Sequence, residues 1–178
     1  AGSGTTYTFD VTANDDSTTD ITVDIAAGAA NDLAGNASIV AAQATQAVDT
    51  VNPTVGISDN QAGTASDVDN VVRYTVTFSE AVTGFTAGDL VVTGGTVSNF
   101  AGSGTTYTFD VTANDDSTAD ITVDIAAGVA NDLAGNASIV ATQATQAVDT
   151  VNPTVGISDD QAGTTSDVDN VVRYTVTF

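Results

Sequence analysis

The residues equipped for chemistry are carboxylates and carboxamides, and almost nothing else. The 178-residue chain has no His, Cys, Met, Trp or Lys, its only cations are Arg73 and Arg173, and every acidic side chain is Asp except Glu80. Without His or Cys, neither a Ser/His/Asp nor a Cys/His nucleophile can be assembled, and the carboxylates fall in separate turns instead of facing each other as a pair. Enzymatic activity is therefore not expected. Hard oxygen donors on short side chains suit tight turns and divalent-cation loops, and an all-oxygen set favours Ca2+ over zinc or copper. The net charge of −21 opposes nucleic-acid phosphate and anionic membrane as partners, and attracts cations. Solubility and adaptation to salty surroundings are the alternative explanations of that charge.

Positioning these donors is the task of a tandem repeat. Residues 1–78 match 101–178 at every position except 19, 29, 42, 60 and 65. The chain reads as the C-terminal part of one repeat (1–50), a complete repeat (51–150) and the N-terminal part of the next (151–178), with a 100-residue period. Two copies of Val-Asp-Thr-Val-Asn-Pro, at 48–53 and 148–153, mark the junctions. A unit of that size buries a core without disulfides. The end segments lack strands that would cover their apolar faces, and are expected to be completed by sequence outside this stretch or by neighbouring chains.

Within the complete repeat the apolar period is two, which predicts an all-β fold. Strands are expected at 54–58, 71–78, 90–93, 96–101, 105–112, 119–125 and about 138–148. Val72, Tyr74, Val76 and Phe78 share one face, as do Tyr107, Phe109 and Val111, and Ile121, Val123 and Ile125. Phe85 and Leu90 are expected to plug one end of the core. Gly94-Gly95 offers a hairpin turn, and Gly102-Ser-Gly104 the next. Seven strands with polar outer faces favour tandem immunoglobulin-like β-sandwich repeats; solenoids and calcium β-rolls need short glycine-rich periods that do not occur.

Strand alternation sorts the loops onto two poles. Asp59, Asp67, Asp69, Asp115, Asp116 and Asp149 fall on the far pole or its outgoing linker, which continues to Asn152; Glu80, Asp89 and Asp132 fall on the near pole. End-to-end stacking brings the far pole of one repeat against the near pole of the next. At ~4 Å two like charges cost about 4 kcal/mol at an effective dielectric near 20, so a bound Ca2+ is expected at the junction. Candidate ligands there are Asn14, Asp15 and Asp16 from the preceding repeat, Asp49 and Asn52 in the linker, and Glu80, Asp89, Asn131, Asp132 and Asn136 from the following one. Calcium takes about 6–8 oxygens, so only some act together. Each acid taken singly equally fits a turn or an Asx cap. Asn131-Asp-Leu-Ala-Gly-Asn136 is the most informative short motif, because Gly135 permits the positive φ that gathers Asp132 and nearby carbonyls around one point. Asp67-Val-Asp69 lacks the glycine and distal glutamate of an EF-hand.

The run Tyr74–Leu90, Thr93-Gly-Gly-Thr96, the Gly102–Tyr107 turn and Ala126–Asn136 together resemble bacterial immunoglobulin-like repeats of giant surface adhesins and biofilm-associated proteins. The resemblance covers the whole repeat. It implies an extracellular, cell-surface tandem array stiffened by calcium, holding a distal binding domain away from the cell, with Asp132 and Asn136 at the family's calcium turn. Asn131 before that Asp, and Val51-Asn52 before Pro53, depart from the family pattern.

Two functions follow as expectations. One is a structural spacer whose partners are the adjacent repeats of the same chain. The other is a subunit of an extracellular or biofilm-matrix filament, with strands of neighbouring copies completing one another. Direct ligand binding by each repeat ranks last, because the aromatic residues are assigned inward.

Overall fold

The computed structural model describes residues 2–168 and 170–178, with Gly2 and Ser3 described by their backbone alone. Strands form where the alternation is cleanest. The first segment holds β1 (Gly2–Ser3), β2 (Thr6–Tyr7), β3 (Ile21–Val23) and β4 (Ala44–Gln46). The complete repeat holds β5 (Val55–Asp59), β6 (Ala65–Ser66), β7 (Val71–Val82), β8 (Leu90–Thr93), β9 (Gly95–Ala113), β10 (Ile121–Ile125), β11 (Ala144–Gln146) and β12 (Val148–Asp149). The last segment adds β13 (Gly156–Asp159) and β14 (Tyr174–Thr177).

One sheet of the complete repeat is β5-β7-β9 and the other is β11-β10-β8, with all neighbours antiparallel. A short parallel pair, β6 with β12, ties the first loop to the outgoing end; nothing in the alternation announced it.

β9 covers 19 residues, which would span ~60 Å as one straight strand. Instead the chain doubles back. A Cβ on Gly95 would stand 2.6 Å from the Thr112 carbonyl, one on Gly102 would stand 2.5 Å from Tyr107 Cα, and Asn99 Nδ2 donates to Asp110 Oδ2 at 2.8 Å. The turn falls at Gly104, with φ +66°. The same turn in the first segment pairs Gly2 with Tyr7 and Ser3 with Thr6. The Gly102–Gly104 hairpin is thus present as expected. Counting the two arms of β9 separately gives four strands against three, in the order of a constant-type immunoglobulin sandwich.

The hairpin expected at Gly94-Gly95 is a different structure. β8 pairs with β10, not with β9, so Gly94 (φ +74°) carries the chain from one sheet to the other. It is wedged so closely against the Asp120 carbonyl that a Cβ there would clash. The last strand is also shorter than expected. Residues 137–143 form no ladder because they cross the near pole, where Ile139 N donates to the Pro53 carbonyl and Ala141 N to that of Ile125.

The core follows the alternation. Val72, Tyr74, Val76 and Phe78 of β7 are buried, as are Tyr107, Phe109 and Val111 of β9 and all three apolar residues of β10. Tyr74 stacks on Phe109 with ring centroids 5.3 Å apart. Phe85 plugs the near-pole end edge-on to Phe78 and Tyr107, and half-buried Leu90 packs against the same cluster.

The flanking segments keep the registers of the complete repeat. Ile21 faces Gln46 as Ile121 faces Gln146, and Gly156 faces Thr177 as Gly56 faces Thr77. Their apolar faces are bare, with Tyr7, Phe9, Tyr174 and Phe178 all more than 60% exposed.

Candidate cation site at the repeat junction

Asp49, Glu80 and Asp132 each present a carboxylate oxygen, and these atoms lie within 4.8 Å of one another. The three residues come from three segments: the incoming linker, the end of β7, and the loop between β10 and β11.

Glu80 reaches the site through its place in β7. It has the parity of the core residues Phe78 and Val82, so a regular strand would point it inward. An irregularity in the β7–β9 register between Thr77 and Val82 accompanies its half-buried position at the near pole. Burial raises its pKa above the usual carboxylate value, and the neighbouring charges of Asp132 and Asp49 push it further.

Asp132 is held by the turn that follows it. Its Oδ1 accepts from the amides of Gly135 and Asn136 at 2.7 and 2.8 Å, and its Oδ2 from Asn136 Nδ2 at 2.8 Å. Gly135 at φ +98° makes this closure possible. Burial pushes the Asp132 pKa up, but the Asn136 side chain and backbone, with the amides of Gly135 and Ala134, hold it below the ordinary value. The loop is fastened to the rest of the pole by reciprocal backbone bonds between Thr83 and Asn131, 2.8 and 3.0 Å long.

Asp49 is fixed from both sides. Toward the following repeat, Asn136 Nδ2 donates to the Asp49 carbonyl at 3.1 Å and Asn52 Nδ2 to the Ala137 carbonyl at 2.7 Å. Toward the preceding repeat, Thr50 N donates to the Ser17 carbonyl at 3.0 Å, and Thr50 Oγ1 to that of Asn14 at 2.8 Å. Thr150 repeats this contact with Ser117 and Asn114. The threonine pin was missed in the sequence, where only its recurrence in both junction copies could have marked it.

Among the described residues, none of the other candidate acids joins this carboxylate group. Asp15 caps the Asp16 amide, in a loop held near the linker by Thr50. Asp89 accepts from both the amide and the hydroxyl of Thr86 in a capping box. Asn52 and Asn136 turn their amide nitrogens toward backbone carbonyls, so they act as braces. On the far pole, Asp59 caps Gln61, Gln61 Nε2 donates to Asp69, and Asp115 caps the Asp116 amide. At the second junction Asp149 caps Val151, while Asn152 Nδ2 reaches Asp67 at 2.6 Å. Among the described residues, no far-pole set gathers three acids as the near pole does.

Alternation along β9 sets Asp110 on the face opposite Tyr107, Phe109 and Val111, which predicts exposure, yet it is 5% exposed. Arg73 covers it, donating at 2.8 and 3.1 Å, and Asn99 adds a third bond. The one cation of the complete repeat is therefore engaged with a sheet-face carboxylate. What remains at the junction is a hard, all-oxygen, negatively charged cluster, which fits a divalent cation of the calcium type.

Residues 49–148 match the family model described as a bacterial Ig-like domain. No curated protein and no solved structure matches the chain.

Proposed function

The chain belongs to the bacterial Ig-like domain family, and from that premise we propose that it is a non-catalytic extracellular spacer, a stretch of a surface-adhesin stalk whose repeats are locked at their junctions by Ca2+. The observation that carries this reading is the convergence of Asp49, Glu80 and Asp132 from a linker and two loops. Left bare, three acids at that separation repel strongly, and the charges of Asp132 and Asp49 add to burial in raising the pKa of Glu80. A cation held by all three would convert repulsion into attraction between the linker and the repeat it enters. Asn136 prepares the site by orienting Asp132 and gripping the Asp49 backbone together. Chain carbonyls and water would supply the remaining oxygens.

A spacer needs length and stiffness more than specificity, and near-identical repeats supply length without adding a new recognition surface per copy. Small-angle scattering of the chain tests the mechanical part. In calcium the distance distribution should be narrow and extended, and chelator should broaden it; identical curves in both buffers would refute calcium locking.

A further inference from the structure

The outgoing end of the complete repeat is tied back to its beginning by one short ladder, and we propose that this β6–β12 pair is the clamp that bears load when the repeat is pulled along the chain. The proposal rests on the spacer reading only for why the repeat is loaded from its ends. The chain enters through β5, an edge strand of the β5-β7-β9 sheet, and leaves through β11, an edge strand of the β11-β10-β8 sheet. Entry lies at the near pole, where Ile139 N donates to the Pro53 carbonyl; exit lies at the far pole, where Thr150 is pinned to Asn114 and Ser117. Tension along the chain therefore slides one sheet past the other.

Among the described residues, β6 with β12 is the only strand pair that joins a segment of the first sheet's chain to one of the second's. β6 lies between β5 and β7, whereas β12 directly follows β11. The pairing is parallel, Val148 with Ala65 and Asp149 with Ser66, and Ala65 N donates to the Ala147 carbonyl at 2.9 Å. Bonds of a parallel pair run across the strands. Pulling β12 outward along its own axis loads them side by side, in shear, so they fail together instead of opening one after another.

Side chains close the clamp. Gln146 is 6% exposed and donates from Nε2 to the carbonyls of Gly63 and Ala147. Ala65 and Val148 are themselves buried in the core, which keeps water from their side of the ladder. The reciprocal bonds between Thr83 and Asn131 also cross between the sheets, but they join the end of β7 to a loop, and neither partner lies at a pulled end. The remaining tie of the exit strand, β11 on β10, stays within one sheet.

Single-molecule stretching of the 178-residue chain, held by its termini, tests this with the wild type, Ala65→Pro, Gln146→Leu and Val123→Ala. Ala65→Pro deletes the donor to Ala147. Gln146→Leu removes only the side-chain tie and stands in where the first variant fails to fold, and Val123→Ala weakens the buried centre of β10, outside both strands. Opening of the complete repeat releases about 330–360 Å of chain from its 100 residues, which identifies the event. Forced unfolding follows the unfolding rate and not equilibrium stability, so each variant's force is compared with its own urea midpoint. Both clamp variants should shift the event to lower force, and further than Val123→Ala does for the same loss of urea midpoint. Asp49, Glu80 and Asp132 lie outside both strands, so this ranking should hold in chelator as in calcium, which separates failure of the clamp from failure of calcium locking. Clamp variants that open at the wild-type force, or a Val123→Ala chain whose force falls as far as theirs, would each overturn the proposal.

Discussion

Asn136 joins the turn of the acidic loop to the linker: its Nδ2 donates at 3.1 Å to the carbonyl of Asp49, 87 residues earlier in the chain. The same nitrogen donates to Asp132 Oδ2 at 2.8 Å, so one carboxamide positions a carboxylate and a backbone segment at once. Asn136→Ala removes both bonds. Loss of the linker bond alone should cost about 1 kcal/mol, read as a lower Tm by differential scanning calorimetry. Calcium affinity should fall with it, because Asp132 loses its orientation.

Glu80 gives a sign reversal. An acid whose pKa is raised by folding disfavours the folded state once it ionises, so without calcium the contribution of Glu80 to stability is fully present below its ordinary value of 4.5 and is lost as pH rises through the folded value. Glu80→Gln should therefore raise Tm at neutral pH in chelator. In calcium the same change removes a ligand and should lower Tm relative to the wild type. Thermal melts of both proteins in both buffers measure the difference.

Asp110 behaves oppositely. Hydrogen bonds from Arg73 and Asn99 lower its pKa from 3.8 to about 2. A depressed carboxylate contributes stability above its unfolded value, and that contribution is lost as pH falls from there through about 2. Urea midpoints of the wild type should drop over this acid range. Asp110→Asn should be less stable at neutral pH and should show a flatter acid limb.

Much of this architecture was legible because burial on one face forces period two. Val72, Tyr74, Val76 and Phe78 could hardly be assigned otherwise, and all are buried. The positive-φ turn at Gly104 was legible for a similar local reason, since Gly-Ser-Gly suits a hairpin. Gly94 was misread because a positive φ specifies a sharp turn but not which strand lies on its far side. That choice is made by β10, which pairs with β8. The site was legible as a pole and less so as a set. Loop counting put Asp49, Glu80 and Asp132 at one end, but Asp89 shares that end and is diverted by Thr86, a competition decided by local hydrogen bonds. The burial of Asp110 was hidden because its cover, Arg73 and Asn99, comes from two other strand arms.

Phe109 is fully buried, stacked on Tyr74. Phe109→Ala should destabilise the complete repeat by about 3–5 kcal/mol, and urea unfolding of the wild type and the variant checks it.

The central claim is that the junction binds calcium through Asp49, Glu80 and Asp132, and isothermal titration of Ca2+ into the chelator-treated chain tests it most directly. The account predicts saturable binding at the junction that is abolished in Asp49→Asn and weakened in Glu80→Gln, while Asp89→Asn binds like the wild type. Absence of saturable heat, or heat that persists unchanged in Asp49→Asn, would contradict it.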